Sequence, residues 1–317
     1  SLPLGDSVMF SGAMSLSGRY EGTGTAMNRS WAMCETWINS AGGIPFQGQR
    51  HPVQVLIRDD TSDAGRVATI ISEAVNDSRV SAVIAPYSSG LTAVSVPLME
   101  GSSKPLMAAG AAREGLYGNG SVYGTLPGAG SYLRNALKVL ASAGAQRVVV
   151  VMEAGNVFSE AACSLSVFPV HKHLGESVLP GMTIVGTLFV GLFPDDAEQA
   201  AELMKVVEVL EDLQPSLLTG CLLYRMCTML LSLLKEHRVN VPNVLLTTCV
   251  ATPSFHRDMV QGQELAPGLY ALGTTPWDER VEGGSAQGNA VGGDCGSSCY
   301  TPYGFYSEYE NLYGEAP

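Results

Sequence analysis

Pairs of acidic and imidazole side chains are the places where catalysis would start in this chain. Asp59-Asp60 sets two carboxylates together, the residue types of general acid–base chemistry. They end an apolar run and are followed by Thr61, Ser62 and Asp63, a context that fits turn and cap residues better. Asp195-Asp196 likewise precedes a helical pattern and fits N-capping. His171 and His173 flank Lys172, and a solvated turn is the better account of them than a metal pair. The chain has five histidines but no Gly-x-Ser-x-Gly elbow, no phosphate loop of the Gly-x-x-x-x-Gly-Lys-Ser/Thr type and no His-Glu-x-x-His. No catalytic residue, metal or cofactor is expected.

Cysteines and sequons are the next chemistry-bearing groups. Of seven cysteines, Cys295 and Cys299 sit in a Gly/Ser stretch, where a local disulfide is the candidate. Cys34, Cys163, Cys221, Cys227 and Cys249 lie in apolar segments and read, for the most part, as buried small hydrophobes. Asn28-Arg-Ser30, Asn76-Asp-Ser78 and Asn119-Gly-Ser121 are glycosylation sequons. Together with the cysteines they favour an extracellular or periplasmic compartment.

Charge narrows the function classes. The 317 residues carry 18 Lys+Arg against 30 Asp+Glu, a net charge of −12. Such a chain lacks the basic stripe that a phosphate backbone needs, so nucleic acid is excluded as a partner. Hydrophobic residues make up 46%, enough for a real core. The apolar stretches fall short of the ~20 residues that span a bilayer. Ser1-Leu-Pro-Leu-Gly-Asp6 has neither a basic start nor an apolar run, so the chain reads as mature, trimmed or a piece of something longer.

The elements that must position any site alternate between two periods. Val53–Ile57, Ala82–Ala85, Pro105–Ala108, Arg147–Met152, Thr183–Val190, Asn243–Thr247 and Gly268–Gly273 read as strands. Met27, Trp31, Cys34 and Ile38 recur at helical steps before the Ala41-Gly42-Gly43 stop. Ala64–Val75, Leu91–Glu100, the stretch carrying Leu133, Leu137 and Leu140, Ala197–Leu213 and Cys221–Glu236 share that period. Phe305, Tyr306, Tyr309 and Tyr313 mark a last short helix. Strands and helices in alternation predict an α/β protein of two doubly wound units, with the junction in Tyr123–Gly130. Residues 283–298 are Gly/Ser/Ala-rich without periodicity and read as a flexible loop.

Several phrases resemble a known family. Met9-Phe-Ser-Gly-Ala-Met-Ser-Leu-Ser-Gly18 resembles the first strand and Leu-Ser-Gly loop of type I periplasmic-binding-protein-like domains. Trp37-Ile-Asn-Ser-Ala-Gly-Gly-Ile44, Leu56-Ile-Arg-Asp-Asp60, Ala82 to Thr92 and Lys104 to Ala112 resemble its next four phrases, in order and at similar spacing. Leucine/isoleucine/valine-binding proteins and receptor ectodomains share that fold. The resemblance implies two lobes, each a parallel sheet flanked by helices, with a ligand between them. It places lobe 1 at 1–125, lobe 2 at 126–272 and a return segment to lobe 1 at 273–317.

The resemblance also implies a site. Ser88 and Ser89 fall at a strand end before a helix, where a hydroxyl and free N–H groups favour a carboxylate; a helix cap is the alternative. Gly110, Ala111 and Ala112 match the loop that holds an α-amino acid, but Ala112 stands where a hydroxyl is expected. Phe158 matches the aromatic ring of lobe 2. Near Thr248 the acid that would meet an ammonium group is absent. Tyr20 and Thr23, in the first loop, are placed to cover the cleft.

Two functions are weighed from this. The first is a ligand-binding domain closing on a small, amino-acid-like molecule, as a solute-binding protein or a receptor ectodomain tethered by a segment outside this chain. The second is a degenerate fold used as an extracellular structural or adhesive module. The family continues past a phrase like Tyr309–Pro317 with further helices and a crossover. A further segment of the same polypeptide, or a partner chain, is therefore expected to complete lobe 1, and a homodimer is one such arrangement.

Overall fold

The computed structural model describes residues 7–118, 120–167, 181–247, 255 and 309–314. Thr248, Cys249, Cys295, Cys299, Asn119, His171, His173 and the segments 268–273 and 283–298 lie outside the described residues. The chain divides into two units, Ser1–Leu126 with Pro276–Pro317, and Pro127–Thr275.

The first unit runs β1 (Val8–Met14), α1 (Glu21–Ser40), β2 (Ile44–Phe46), β3 (Gln49–His51), β4 (Val53–Asp59), α2 (Ala64–Asn76), β5 (Val80–Ile84), α3 (Ser89–Ser95), β6 (Leu106–Ala108) and β7 (Val122–Gly124). Five strands form one parallel sheet in the order β4-β1-β5-β6-β7. β2 and β3 form a separate hairpin whose two turn residues, Gln47 and Gly48, both take positive φ, as the twist of a tight hairpin demands. α2 lays its stripe of Val67, Ile70, Ile71 and Ala74 against Ala13, Val83 and Leu106 of the sheet. The predicted helix at 91–100 is shorter than its period suggests. α3 stops at Ser95, and a 3-10 turn at Val96–Met99 takes Pro97, which has no N–H for an α-helical bond. Residues 309–313 are helical; Tyr309 is buried, and Tyr313 donates to the Arg29 carbonyl at 3.2 Å while the Arg29 guanidinium lies over its ring.

The second unit runs α4 (Arg134–Ser142), β8 (Arg147–Glu153), α5 (Val157–Val167), β9 (Thr183–Val190), α6 (Asp196–Leu213), β10 (Leu217–Cys221), α7 (Tyr224–Glu236) and β11 (Val244–Leu246). Its parallel sheet has the order β11-β10-β8-β9. Val148–Met152 are buried throughout, as a sheet covered on both faces requires. Asp195 caps α6 by accepting from the Ala197 and Glu198 N–H groups. Cys221 belongs to a strand rather than to the helix expected at 221–236. Short apolar runs fit either structure, and pairing of Cys221 with Met152 in the sheet decides it.

The cysteine expectation needs a second correction. Cys163 and Cys221 form a disulfide, and Cys227 is also disulfide-bonded, so these are cross-links rather than simple core hydrophobes. The pairing joins α5 to the end of β10 across 58 residues, a proximity that linear spacing does not encode. Cys34 is a free, half-buried thiol. Of the sequons, Asn28 lies half-buried within α1 and Asn76 is exposed at the end of α2. Among the described residues, no helix is long and apolar enough to cross a membrane.

Candidate functional site

Strand order gives each sheet one topological switch point. In the first sheet the chain steps from β1 to β4 on one side, then crosses to β5 on the other. The connections part in opposite directions beyond the carboxyl ends of β1 and β5, the topological position at which open α/β sheets bind ligands. The second sheet repeats the pattern, with its switch between β8 and β10.

In the first unit, Asp59 and Asp60 tie the loop after β1 to the turn after β4. Asp59 accepts from the Leu16, Ser17 and Thr61 N–H groups and from the Ser17 hydroxyl, at 2.9, 3.2, 2.8 and 2.7 Å. Burial works to raise its pKa, but these four donors, led by the Ser17 hydroxyl, hold it below its ordinary 3.8. Asp60 is fully buried and accepts from the Ser15 hydroxyl at 2.6 Å and the Ser62 N–H at 2.8 Å. Burial dominates there and raises its pKa, with the Asp59 charge adding to the shift. The linkage signs are therefore opposite. Asp59 contributes stability that is lost as pH falls through its lowered pKa. Asp60 removes stability as pH rises from 3.8 through its raised pKa. In urea melts across that window, Asp60→Asn is expected to gain stability relative to the unsubstituted protein as pH rises. A difference that stays flat with pH would mean that Asp60 titrates normally.

The β5–α3 turn holds the predicted serines in different roles. Ser88 sits at φ 84°, ψ 147°, a region that glycine alone enters readily. Its N–H donates to the Gly110 carbonyl at 3.2 Å, and its hydroxyl caps α3 by accepting from the Leu91 N–H at 3.2 Å. Ser89 is 2% exposed, and its hydroxyl accepts from the Ala112 and Arg113 N–H groups at 3.1 and 3.2 Å. Ser89 thus ties the β6 loop to α3. Ala111 and Ala112 are buried in that loop, and the Ala111 carbonyl accepts from the Tyr117 hydroxyl.

Gly110 is a close approach: a Cβ there would lie 2.9 Å from the Tyr87 ring and 3.1 Å from the end of Met27. Tyr87 meets Tyr20 edge to face at 5.4 Å, and the Arg19 guanidinium stacks over Tyr20 at 4.4 Å. Tyr20 immediately precedes α1, and Thr23 is exposed within α1 rather than in the first loop. The helix begins that early because Gly24 lets its first turn rest on the Ser15 carbonyl, which a Cβ would approach to 2.0 Å. Tyr87 was not singled out in the sequence, although it stands directly before Ser88.

In the second unit, Asn156 caps α5 by accepting from the Phe158 and Ser159 N–H groups at 3.0 and 3.2 Å. Phe158 is therefore the second residue of the helix that leaves the switch point. Its ring is half-buried and meets Tyr132 edge to face at 5.5 Å. Ser159 donates to the Cys221 carbonyl and accepts from the Glu153 N–H, joining the ends of β8 and β10.

No curated protein matches the sequence. The family model described as Periplasmic binding protein matches residues 12–168. Among solved structures, the chain resembles the branched-chain amino acid transporter substrate-binding protein LivJ of Streptococcus pneumoniae, solved with isoleucine. The TM-score is 0.72 at 18% identity, covering 98% of this chain and 78% of that one. It also resembles the leucine-binding protein LivK of Thermotoga maritima, with a TM-score of 0.69 at 15% identity over 98% and 77% of the two chains. A solute-binding protein of an ABC transporter from Rhodopseudomonas palustris, in complex with 3,4-dihydroxybenzoic acid, gives 0.70 at 12% identity over 99% and 76%. These similar structures are binding proteins, not enzymes. Residues 12–168 match the periplasmic-binding-protein family model, and the parallel sheets flanked by helices give the chain the α/β fold of these structures.

Proposed function

We propose that the chain is an extracytoplasmic ligand-binding domain that closes its two units on a small organic molecule of the amino-acid or organic-acid kind. The observation that carries this reading is the strand order. The loops bearing Ser88 and Phe158 follow strands at the two switch points, and the Gly110 loop follows the neighbouring β6, in a fold shared with solute-binding proteins. Contacts from both units select the closed state, and the output is delivery to a transporter or signalling through an attached segment. Disulfide bonds at Cys163, Cys221 and Cys227 suit an oxidising compartment, and the exposed Asn76 sequon suits a glycoprotein.

A thermal-shift screen of amino acids, carboxylates and amines tests the reading. A ligand at 100 times its Kd adds about 2.7 kcal/mol to stability. Ser88→Gly is the informative variant, because glycine accepts φ 84° without strain while the hydroxyl is lost. The hit should weaken in that variant while the protein stays folded. Buried Ala112 and the internally bonded carbonyls of Gly110 and Ala111 favour the second reading, a structural module. Folded protein that shifts with nothing in the panel would establish it over the first.

A further inference from the structure

Sheet edges are where a folded chain still offers backbone hydrogen bonds, and proteins blunt them with short strands, charge or a covering element. Among the described residues, three of the four outer strands of the two parallel sheets are blunted. β7 and β11 are three residues long. β4 is longer, but α1 covers it. The Asn39 side chain accepts from the Val53 N–H at 2.7 Å and donates to the Val53 carbonyl at 2.8 Å, and Glu35 accepts from the Val55 N–H at 3.3 Å.

The fourth outer strand, β9, is eight residues long and open. The Ala154 N–H donates to the Val190 carbonyl at 2.9 Å, which sets the phase of the ladder. Gly186, Leu188 and Val190 turn their backbone groups to β8, so Thr187 and Phe189 turn theirs outward. The side chains alternate as well. Leu188 packs against the core of the second unit, and a Cβ on Gly186 would meet Leu213 at 3.0 Å. Thr187 is exposed on the other face, and Phe189 is 59% exposed. The opening ends where α6 takes over, since the Gly191 N–H and carbonyl bond to Glu202 and Gln199 at 3.1 and 3.0 Å.

We infer that the β9 edge is the contact between two copies of this chain, paired antiparallel about a two-fold axis near Leu188 through the outward N–H and carbonyl groups of Thr187 and Phe189. The pairing joins the second sheet of each copy into one continuous sheet. It stands apart from the ligand-binding reading and does not depend on it.

Charge selects a second copy as the occupant. A two-fold contact sets a strand against itself, so a charge of either sign there meets its own kind. Residues 181–194 carry no charged side chain, in a chain whose net charge is −12. The edge thus offers nothing to attract a charged partner and nothing to repel its own copy. Ile184, Val185, Thr187 and Phe189 are β-branched or aromatic, the types that make favourable cross-strand pairs. A single strand pair is a small interface beside the roughly 1,200–2,000 Å² of tight complexes, so the dimer is concentration-dependent.

Sedimentation velocity and amide hydrogen exchange on the full chain test this. A dimer should form as the concentration rises from about 1 to about 300 μM. Over that range the Thr187 and Phe189 amides should slow by about 10-fold or more, while Leu188, already bonded within the sheet, should not change. Phe189→Lys should weaken the dimer by about 10-fold or more without changing the melting temperature, because the ring is exposed in the monomer. Thr187→Pro should weaken it similarly by removing an N–H that faces outward. A monomer throughout the range overturns the inference. So does a dimer whose Thr187 and Phe189 amides stay unprotected, or one that both folded variants leave at full strength. The exchange measurement needs no variant, so it decides the matter even where a variant fails to fold.

Discussion

Replacing Cys163 and Cys221 together by alanine is expected to lower the stability of the second unit by about 4 kcal/mol. The bridge closes a loop of 58 residues in sequence separation, and most of its effect comes from the conformations that it denies the unfolded chain. Both cysteines are fully buried, so the alanines also leave a small void. The Phe158 helix feels the loss directly, because the bridge pins α5 to the end of β10. The Ser159 bond to the Cys221 carbonyl remains as a single link. Urea unfolding of the double variant, followed through the second unit, reads the effect. An unchanged midpoint would show that the bridge contributes nothing, and the double variant is preferable to reductant because Cys227 is disulfide-bonded as well.

Lys104→Met comes next in size, at about 2–3 kcal/mol lost from the first unit. Lys104 is 7% exposed, and its ammonium donates to the carbonyls of Ala74, Val75 and Asp77 at 3.1, 2.7 and 2.6 Å. Those oxygens end α2, whose last turn has no basic residue of its own, so the charge also meets the negative end of the helix dipole. Burial lowers the lysine pKa, with the Asp77 charge working against that shift. Methionine keeps the aliphatic stem and deletes the donors, leaving three carbonyls to find water. A fall in stability below about 0.5 kcal/mol in a denaturant titration would mean that water replaces the ammonium fully.

Local pattern accounts for much of what the chain shows. The apolar runs at Val53–Ile57 and Thr183–Val190 are strands, and the helical stripes at Ala64–Val75 and Ala197–Leu213 are helices, because period and flanking caps agree there. The pattern failed where one residue string fits two structures. Cys221 reads as the start of a helix until β8 pairs with it. Leu91–Glu100 reads as one helix until Pro97 divides it.

The serine motif shows where legibility ends at the site. Its position at a strand end was readable from the order of elements. The assignment of its hydroxyls was not, since Ser89 bonds to residues 112 and 113 and Ser88 takes a backbone conformation that its sequence neighbours do not predict. The same holds for the Tyr20–Tyr87 pair and the Lys104 cap, each joining segments distant in sequence.

By itself the sequence determined the α/β class and the alternation of strands and helices. Those follow from local periodicity, composition and the resemblance of short phrases. The tertiary structure decided which cysteines are bonded and which hydroxyls serve the fold. Such matters depend on pairing across tens of residues, and only the packed sheets and helices bring those groups within bonding distance.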